Sequence, residues 1–420
     1  MGKELEAGHS HGHKLGPLGA EPPLSEELQM IQQTMHRYAV EVMRPVGMEL
    51  DRMTPEEAIA PGSPYWQARD KFLELGFGVA DMLALEPEER AKTMCILFEE
   101  LGWGDAGLAI SFGAAMLPTL LSMVMGTPFL RKLAPDGTLG CWAITEPDHG
   151  SDMLDANKMI ASKEGKYGRP NCVATLRGDT VVINGQKSAW VSNGTIADVC
   201  ILYCAADSGN GPDTTRGCVV IVPMNAPGVS RGKALDKLGQ RALNQGEVYF
   251  ENVILSAEHV LAGPERYADA VYAIHTFANA LMGTVFTGCA RAAYELAHAY
   301  AHERKQGGLP IIRHQSVAYR LFHMFRKVEA ARALTHRVVH YNFASPVQSL
   351  HAAMTAKITA TQGAFEVASD ALQIFGGNGL TREYPIEKIL RDARASLIED
   401  GCNEILAIKG GYYLVDPDLL

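Results

Sequence analysis

The stretch "CVATLRGDTVVINGQKSAWVS", Cys172 to Ser192, decides the fold. It is rich in β-branched residues, and the pairs Gly178-Asp179 and Asn184-Gly185 read as turns, so short strands of a compact antiparallel sheet are expected here. "VCILYCAA" (199–206), "GCVVIVPM" (217–224) and "EVYFENVIL" (247–255) extend the same pattern. Cys200 and Cys204 would share one face of their strand and lie in the core.

On both sides of this β segment the period is helical. Ser25 can cap a helix carrying Leu28, Ile31, Met35, Tyr38 and Val42 on one stripe, ending before Pro45. "EERAKTMCILFEELGW" (88–103) reads as a further helix. The uncharged run from Gly107 to Leu130 is long enough to span a bilayer, but Pro118, Gly113, Gly126 and Pro128 interrupt it, so two buried helices joined at a break are expected. Beyond Tyr267 no proline occurs until Pro310, which allows one helix of about 38 residues, and three more apolar-periodic helices follow. Helices of this length and number predict an antiparallel bundle. The chain thus reads as α+β: a tail over 1–22, a helical domain over 23–140, a β domain over 141–258 and a helical bundle domain over 259–420.

With 420 residues, 47% of them hydrophobic, the chain can bury a sizeable core. A formal net charge of −10 argues against general nucleic-acid binding, so an anionic ligand must meet a local set of donors. The eight cysteines show no zinc spacing. Scattered thiols and a polar start predict a cytoplasmic protein with no membrane span, and His9, His11 and His13 belong to the tail.

Several segments carry chemistry. "CWAITEPDHGSD" (141–152) sets the hydroxyls of Thr145 and Ser151 on either side of a tight turn, where backbone N–H groups can meet a polar ligand. Trp142 and Trp190 supply flat aromatic faces, and Ser192, two residues after Trp190, shares its side of a strand. Near the C-terminus, "LIEDGCNEIL" (397–406) holds two adjacent carboxylates, Glu399 and Asp400, directly before a glycine.

"AITEPDHGSD", "INGQKSAWVSNG", "HERKQGGLPIIRHQ" and "LQIFGGNGLTREYPIEKILRDARASLIEDGCNEI" resemble, in order and approximate spacing, the flavin-binding motifs of the acyl-CoA dehydrogenase family. The resemblance covers nearly the whole chain beyond its first twenty or so residues. It implies a homotetramer whose subunits have an N-terminal helical domain, a middle antiparallel β-barrel-like domain and a C-terminal four-helix bundle, with FAD held between subunits. It also implies that Trp142, Thr145, Ser151, Trp190 and Ser192 line the isoalloxazine. Arg304, Gln306, Gln315, Gln373, Gly376 and Gly377 would contact the diphosphate or adenosine of a neighbouring subunit's flavin, and Cys402 and Glu404 take the places of further flavin contacts. The substrate would be an acyl-CoA and the acceptor an electron-transferring flavoprotein.

In the same alignment the family's catalytic glutamate falls on Asp400, 27 residues after Gln373, and Glu399 falls where a tyrosine is common. In the family reaction the base takes the α-proton while the β-hydrogen leaves as hydride to the flavin. Aspartate is about 1.5 Å shorter in reach, and a misplacement of that size can cost on the order of a hundredfold in rate. Asn279 stands where many members have an arginine, Ala278 where some branched-chain members keep an alternative glutamate, Gly307 where a phenylalanine is usual and Gly113 at the floor of the acyl pocket. An unusual acyl group, cyclic or aryl-substituted, suits these changes. Nitroalkane-oxidase-like or acyl-CoA desulfinase-like chemistry on the same fold is the alternative, and a helical interaction protein that has lost its flavin is a third. Asp105, after Gly104, reads as a helix N-cap rather than a second acid.

Overall fold

The β-branched segments form one eight-stranded sheet in a computed structural model that describes residues 24–155 and 168–416. The expectation for the 1–22 segment and its histidines falls outside them. The strands are β1 (Gly140–Ala143), β2 (Cys172–Arg177), β3 (Thr180–Ser192), β4 (Val199–Asp207), β5 (Pro212–Pro223), β6 (Val229–Arg231), β7 (Gln245–Ser256) and β8 (Val260–Ala262). Their order is β6-β7-β3-β1-β4-β5-β8, with β2 also between β3 and β4. Gly178-Asp179 makes the tight β2–β3 turn, with Arg177 opposite Thr180.

Two expectations for this sheet are corrected. It is mixed rather than antiparallel throughout, because β1 and β2 both run parallel to β4. The cause is topological: β3 and β4 run in opposite senses on either side of the same two strands, so a strand antiparallel to one is parallel to the other. Asn184-Gly185 is also not a turn but a bulge inside β3. Gly185 has φ +121°, and a Cβ there would lie 1.9 Å from the Asn171 carbonyl oxygen. Only glycine allows the strand to kink at this point without ending.

The helices are α1 (Glu26–Tyr38), α2 (Arg44–Leu50), α3 (Pro55–Ile59), α4 (Pro64–Glu74), α5 (Val79–Ala84), α6 (Pro87–Gly104), α7 (Ala106–Met125) and α8 (Pro128–Leu133) before the sheet. After it come α9 (Tyr267–Glu303), α10 (Gln315–Ala344), α11 (Leu350–Phe375), α12 (Ile386–Ala395) and α13 (Asn403–Val415). Ser25 caps α1 by accepting from Leu28 N–H at 3.3 Å. The chain does not stop before Pro45: a π turn over Ala39–Met43 leads into α2, where Pro45 occupies the first turn and its missing N–H costs little. Nor does Pro118 break the uncharged run, since α7 is continuous and the break comes at Gly126. There Pro118 packs on β1 at Gly140, where a Cβ would lie 2.5 Å from the proline ring. That packing offsets the lost helical hydrogen bond. The helix is long and apolar enough to cross a membrane, yet two thirds of its most apolar window is buried inside the protein.

Both faces of β4 are covered. Cys200 and Cys204 point with Cys141, Cys172 and Cys218 into the interior of the sheet. Val199, Ile201 and Tyr203, on the other face, pack on Leu117 and Leu121 of α7 and on Val271 and Ile274 of α9. The 37-residue α9 is the axis of the helical part, packed on α11, α10 and α6. One end of this axis therefore lies against the sheet and the other runs out among helices.

Candidate active site

The segment joining α12 to α13 carries Glu399 and Asp400, and its path is unusual. Asp400 has φ +51°, a left-handed conformation that aspartate tolerates better than most residues with a side chain. Three elements hold it there. From α9, Asn279 Nδ2 donates to the Asp400 carbonyl oxygen at 3.1 Å. From α11, the buried Lys357 Nζ donates to the Gly401 carbonyl at 2.9 Å and to Asn403 Oδ1 at 2.8 Å. From the turn after β1, Ser151 Oγ accepts from Cys402 N–H at 3.1 Å. The backbone around Asp400 is thus tied to the bundle and to the sheet at once.

Asp400 and Glu399 open onto a cavity of about 910 Å³ between α7, α9 and the sheet. Phe98, Ile110, Leu117, Phe277, Leu281 and Met282 give it an apolar side, continued by Gly113 and Ala278. Trp142, Thr145, Ser151, Trp190 and Ser192 line its other side. Trp142 and Ser192 face each other across the β1–β3 pair, and Trp190 follows on the same side of β3, as its spacing requires. Gln245 Nε2 donates to both Ser192 Oγ and the Trp190 carbonyl at 3.3 Å. The indole N–H of Trp142 is buried without an acceptor, so this wall lacks a polar partner that a ligand could bring.

The turn that carries Thr145 is braced by a buried ion pair. Lys187 Nζ donates to Glu146 Oε1 at 2.6 Å and to the Ile144 carbonyl at 2.9 Å, while Glu146 exchanges backbone hydrogen bonds with His149. His149 in turn reaches Asp152 and the Arg169 carbonyl.

Burial pushes the Asp400 carboxyl up to about 6, against the pull of Lys357. Glu399 is pushed up to about 7, first by burial and further by Asp400, against hydrogen bonding from Gln240 and the charges of Lys237 and Lys357. Among the described residues no protein donor reaches the Asp400 carboxylate, and Glu399 accepts one hydrogen bond, from Gln240 Nε2 at 2.9 Å. An ionised Asp400 is therefore a stronger base than a solvated aspartate and is still largely deprotonated at neutral pH.

The remaining candidates lie elsewhere. Arg304, Gln306, Gln315, Gln373, Gly376 and Gly377 are all exposed, near the ends of α9 and α11. These ends are clamped: Tyr300 stacks on Phe375 at 4.1 Å and accepts from Asn378 Nδ2 at 2.9 Å. Gly307 and Gly308 form the turn of a small hairpin with φ of +60° and +82°, a geometry that explains glycine at this place. Cys402 reaches the cavity wall only through its N–H on Ser151, and Glu404 is exposed on the first turn of α13. Asp105 is the N-cap of α7, accepting from Leu108 N–H at 2.9 Å and pairing with Lys388.

Sequence reasoning missed Lys357, Lys187 and Gln240. Lys357 had a signal, being the single charged residue between Val347 and Glu366, in a run otherwise suited to a buried helix. Gln240, which positions Glu399, had none.

Comparison with known proteins adds the following. Residues 141–253 match the family model described as the acyl-CoA dehydrogenase middle domain, and residues 272–409 match the acyl-CoA dehydrogenase C-terminal domain. The chain is 30% identical to glutaryl-CoA dehydrogenase of Desulfococcus multivorans, over 92% of this chain and 96% of that one. It is 29% identical to cyclohex-1-ene-1-carbonyl-CoA dehydrogenase of Geobacter metallireducens, over 94% and 99%. Its fold matches butyryl-CoA dehydrogenase of Megasphaera elsdenii with a TM-score of 0.79 at 25% identity, covering 94% of this chain and all of the other.

Proposed function

We infer, from a chain that belongs to the acyl-CoA dehydrogenase family, that Asp400 is the base which removes the α-proton of an acyl-CoA thioester. The protein is accordingly an oxidoreductase with FAD as its cofactor. The residues on the cavity wall fit that group: a planar aromatic wall, three hydroxyls and an indole N–H without an acceptor suit a flat heterocycle with polar edges. Trp142, Thr145, Ser151, Trp190 and Ser192 would hold its ring system. FAD, when bound, supplies the hydride acceptor for the β-hydrogen.

The observation that carries the reading is the convergence of Asp400 with those five residues on one cavity. Asn279, Lys357 and Ser151 fix the backbone of the base from three elements, so the shorter aspartate side chain is held in one defined position. Burial keeps its proton affinity high, and the apolar side of the cavity excludes water from the acyl group. With Gly113 and Ala278 on that side, a bulky acyl group, cyclic or aryl-substituted, fits better than a thin one.

The exposed cluster of Arg304, Gln306, Gln315, Gln373, Gly376 and Gly377 would bind the diphosphate and adenosine of a neighbouring subunit's FAD in a homotetramer, with Cys402 and Glu404 as further contacts. An electron-transferring flavoprotein in the cytoplasm is the proposed acceptor, and residues 23–140, 141–258 and 259–420 are the proposed domains.

Mixing the FAD-loaded protein with a panel of straight, branched, cyclic and aryl acyl-CoA thioesters should bleach the flavin absorbance. Asp400→Asn keeps the shape and the left-handed backbone, so it should slow bleaching by about 10³-fold or more while the flavin stays bound. Bleaching at the wild-type rate in that variant would remove Asp400 from the role.

A further inference from the structure

The cavity has a second polar point that α-proton removal does not use. Glu399 lies on its wall beside Asp400, and its Oε2 accepts from Gln240 Nε2 at 2.9 Å. Gln240 is 1% exposed, also lines the cavity, and is itself held in place, its amide N–H reaching Asp392 Oδ1 and its Nε2 donating to the Asp392 carbonyl at 3.1 Å. Both partners of Nε2 are acceptors, so the orientation of the side-chain amide is fixed. The consequence is that Gln240 Oε1 is buried with no donor. The free oxygen of Glu399 likewise has no protein donor among the described residues. Lys237, the adjacent cation, spends its ammonium group on the Leu243 carbonyl at 2.6 Å and on Gln245 Oε1 at 2.9 Å.

Gln240, buried and fixed, thus holds Glu399 in one orientation, and the free Glu399 oxygen on a cavity whose opposite side is hydrocarbon costs stability unless a ligand satisfies it. A plain alkyl chain would press methylene groups against the free Glu399 oxygen. On the reading that this cavity takes an acyl-CoA, we propose that Glu399, held in place by Gln240, forms a subsite for a hydroxyl group carried on the acyl moiety, and that the preferred substrates are hydroxylated acyl-CoA thioesters. A hydroxyl is the better match than an ammonium group. The two carboxyls of Glu399 and Asp400 already sense Lys237 and Lys357, so a third cation would be surplus. Burial also raises Glu399 to about 7, and near neutrality it can both donate to and accept from a hydroxyl, which an ammonium ligand could not exploit.

The test compares matched pairs of thioesters, with and without a hydroxyl, on straight-chain and cyclohexane skeletons, together with an amino-substituted cyclohexane thioester. Flavin bleaching gives kcat/KM for the wild-type holoenzyme, for Glu399→Leu and for Glu399→Gln. The expected result is a wild-type preference of about tenfold or more for a hydroxylated partner. Glu399→Leu should reduce that preference to about twofold or less, and Glu399→Gln, which still offers donor and acceptor, should keep most of it. Equal rates within every pair, or the same preference in Glu399→Leu, would overturn the subsite while leaving the dehydrogenase reading intact. A preference for the amino compound would overturn the choice of hydroxyl. If no thioester in either series bleaches the flavin, the underlying reading falls and the subsite falls with it. Should Glu399→Leu fail to fold, the loss or retention of preference is read from Glu399→Ala instead.

Discussion

Among the described residues, two pairs of adjacent carboxylates lie inside the protein, Glu99–Glu100 fully buried and Glu399–Asp400 partly exposed at a cavity, and they are treated in opposite ways. Glu99 and Glu100, on α6, meet Arg291 of α9 at 2.5 and 2.6 Å, and Glu99 also meets Arg332 and His336 of α10 at 3.0 and 2.9 Å. Glu399 and Asp400 have one neutral hydrogen bond between them and a cavity in front. Burial alone would raise the Glu99 carboxyl, but Arg332, Arg291 and His336 outweigh it and hold its pKa well below the ordinary value. At Asp400 burial wins over Lys357 and the pKa rises. The same residue types thus serve as a fixed joint in one place and face a cavity with a raised pKa in the other, and the difference lies in whether cations pair directly with the carboxylates or act only from a distance.

The sharpest way to break this contrast is Arg291→Met. It leaves Glu99 and Glu100 short of a cation in the interior, at an expected cost of about 3–5 kcal/mol, read as a shift in the urea midpoint of the holoenzyme. A loss under about 1 kcal/mol would mean that the cluster is hydrated and not a joint at all. Acid should act on the same cluster. Glu99 has a depressed pKa, so its contribution is present above the unfolded-state value of about 4.5 and is lost as pH falls below it.

Asp400 should show the reverse. Its folded pKa is raised, so between about pH 4 and 6 the folded state binds more protons than the unfolded one, and stability declines as pH rises through that window. Asp400→Asn should then be more stable than wild type at pH 8 by about 1 kcal/mol, a figure that allows for partial exposure to the cavity. The loss of bleaching and the gain of stability in one substitution would mark a group kept for chemistry at a cost to the fold. A lower midpoint in that variant would place Asp400 with the structural carboxylates.

The contrast also explains what could be read from the sequence. Periodicity located α1, α6, the strands, the long α9 and the helices α10 to α12, because it depends on burial of one face, which a single chain records; the short α2 to α5 and α8, and the separate α13, escaped it. Turn chemistry was less secure: Asn184-Gly185 has the signature of a hairpin and is a bulge, and Pro45 and Pro118 sit inside helices. At Gly185 and Pro118 neighbours far along the chain, Asn171 and Gly140, settled the local geometry, while Pro45 follows a local π turn. For the candidate site, the resemblance pointed to Trp142, Thr145, Ser151, Trp190, Ser192 and Asp400, which the structure brings to one cavity. The residues that hold Glu399 and Asp400 left no such signal. Gln240 reaches Glu399 across 159 residues and Lys357 reaches Gly401 across 44, and neither pairing leaves a local pattern.

The smallest effect separates placing the base from tuning it. Asn279 and Lys357 both hold the carbonyls of the Asp400–Gly401 segment, but only Lys357 carries charge, and burial has already lowered its own pKa to about 8 against the pull of Asp400 and Glu399. Asn279→Ala should therefore slow bleaching by roughly tenfold through misplacement, with the midpoint of its pH dependence still near 6. Lys357→Met removes the cation that opposes burial at Asp400, so the midpoint should move to higher pH, by on the order of half a pH unit. The direction follows from the sign: without the nearby positive charge the ionised carboxylate is less favoured, and more alkaline solution is needed to populate it. If both variants slow the reaction and neither moves the midpoint, Lys357 is a structural tie like Asn279, and the reactivity of Asp400 comes from its burial alone.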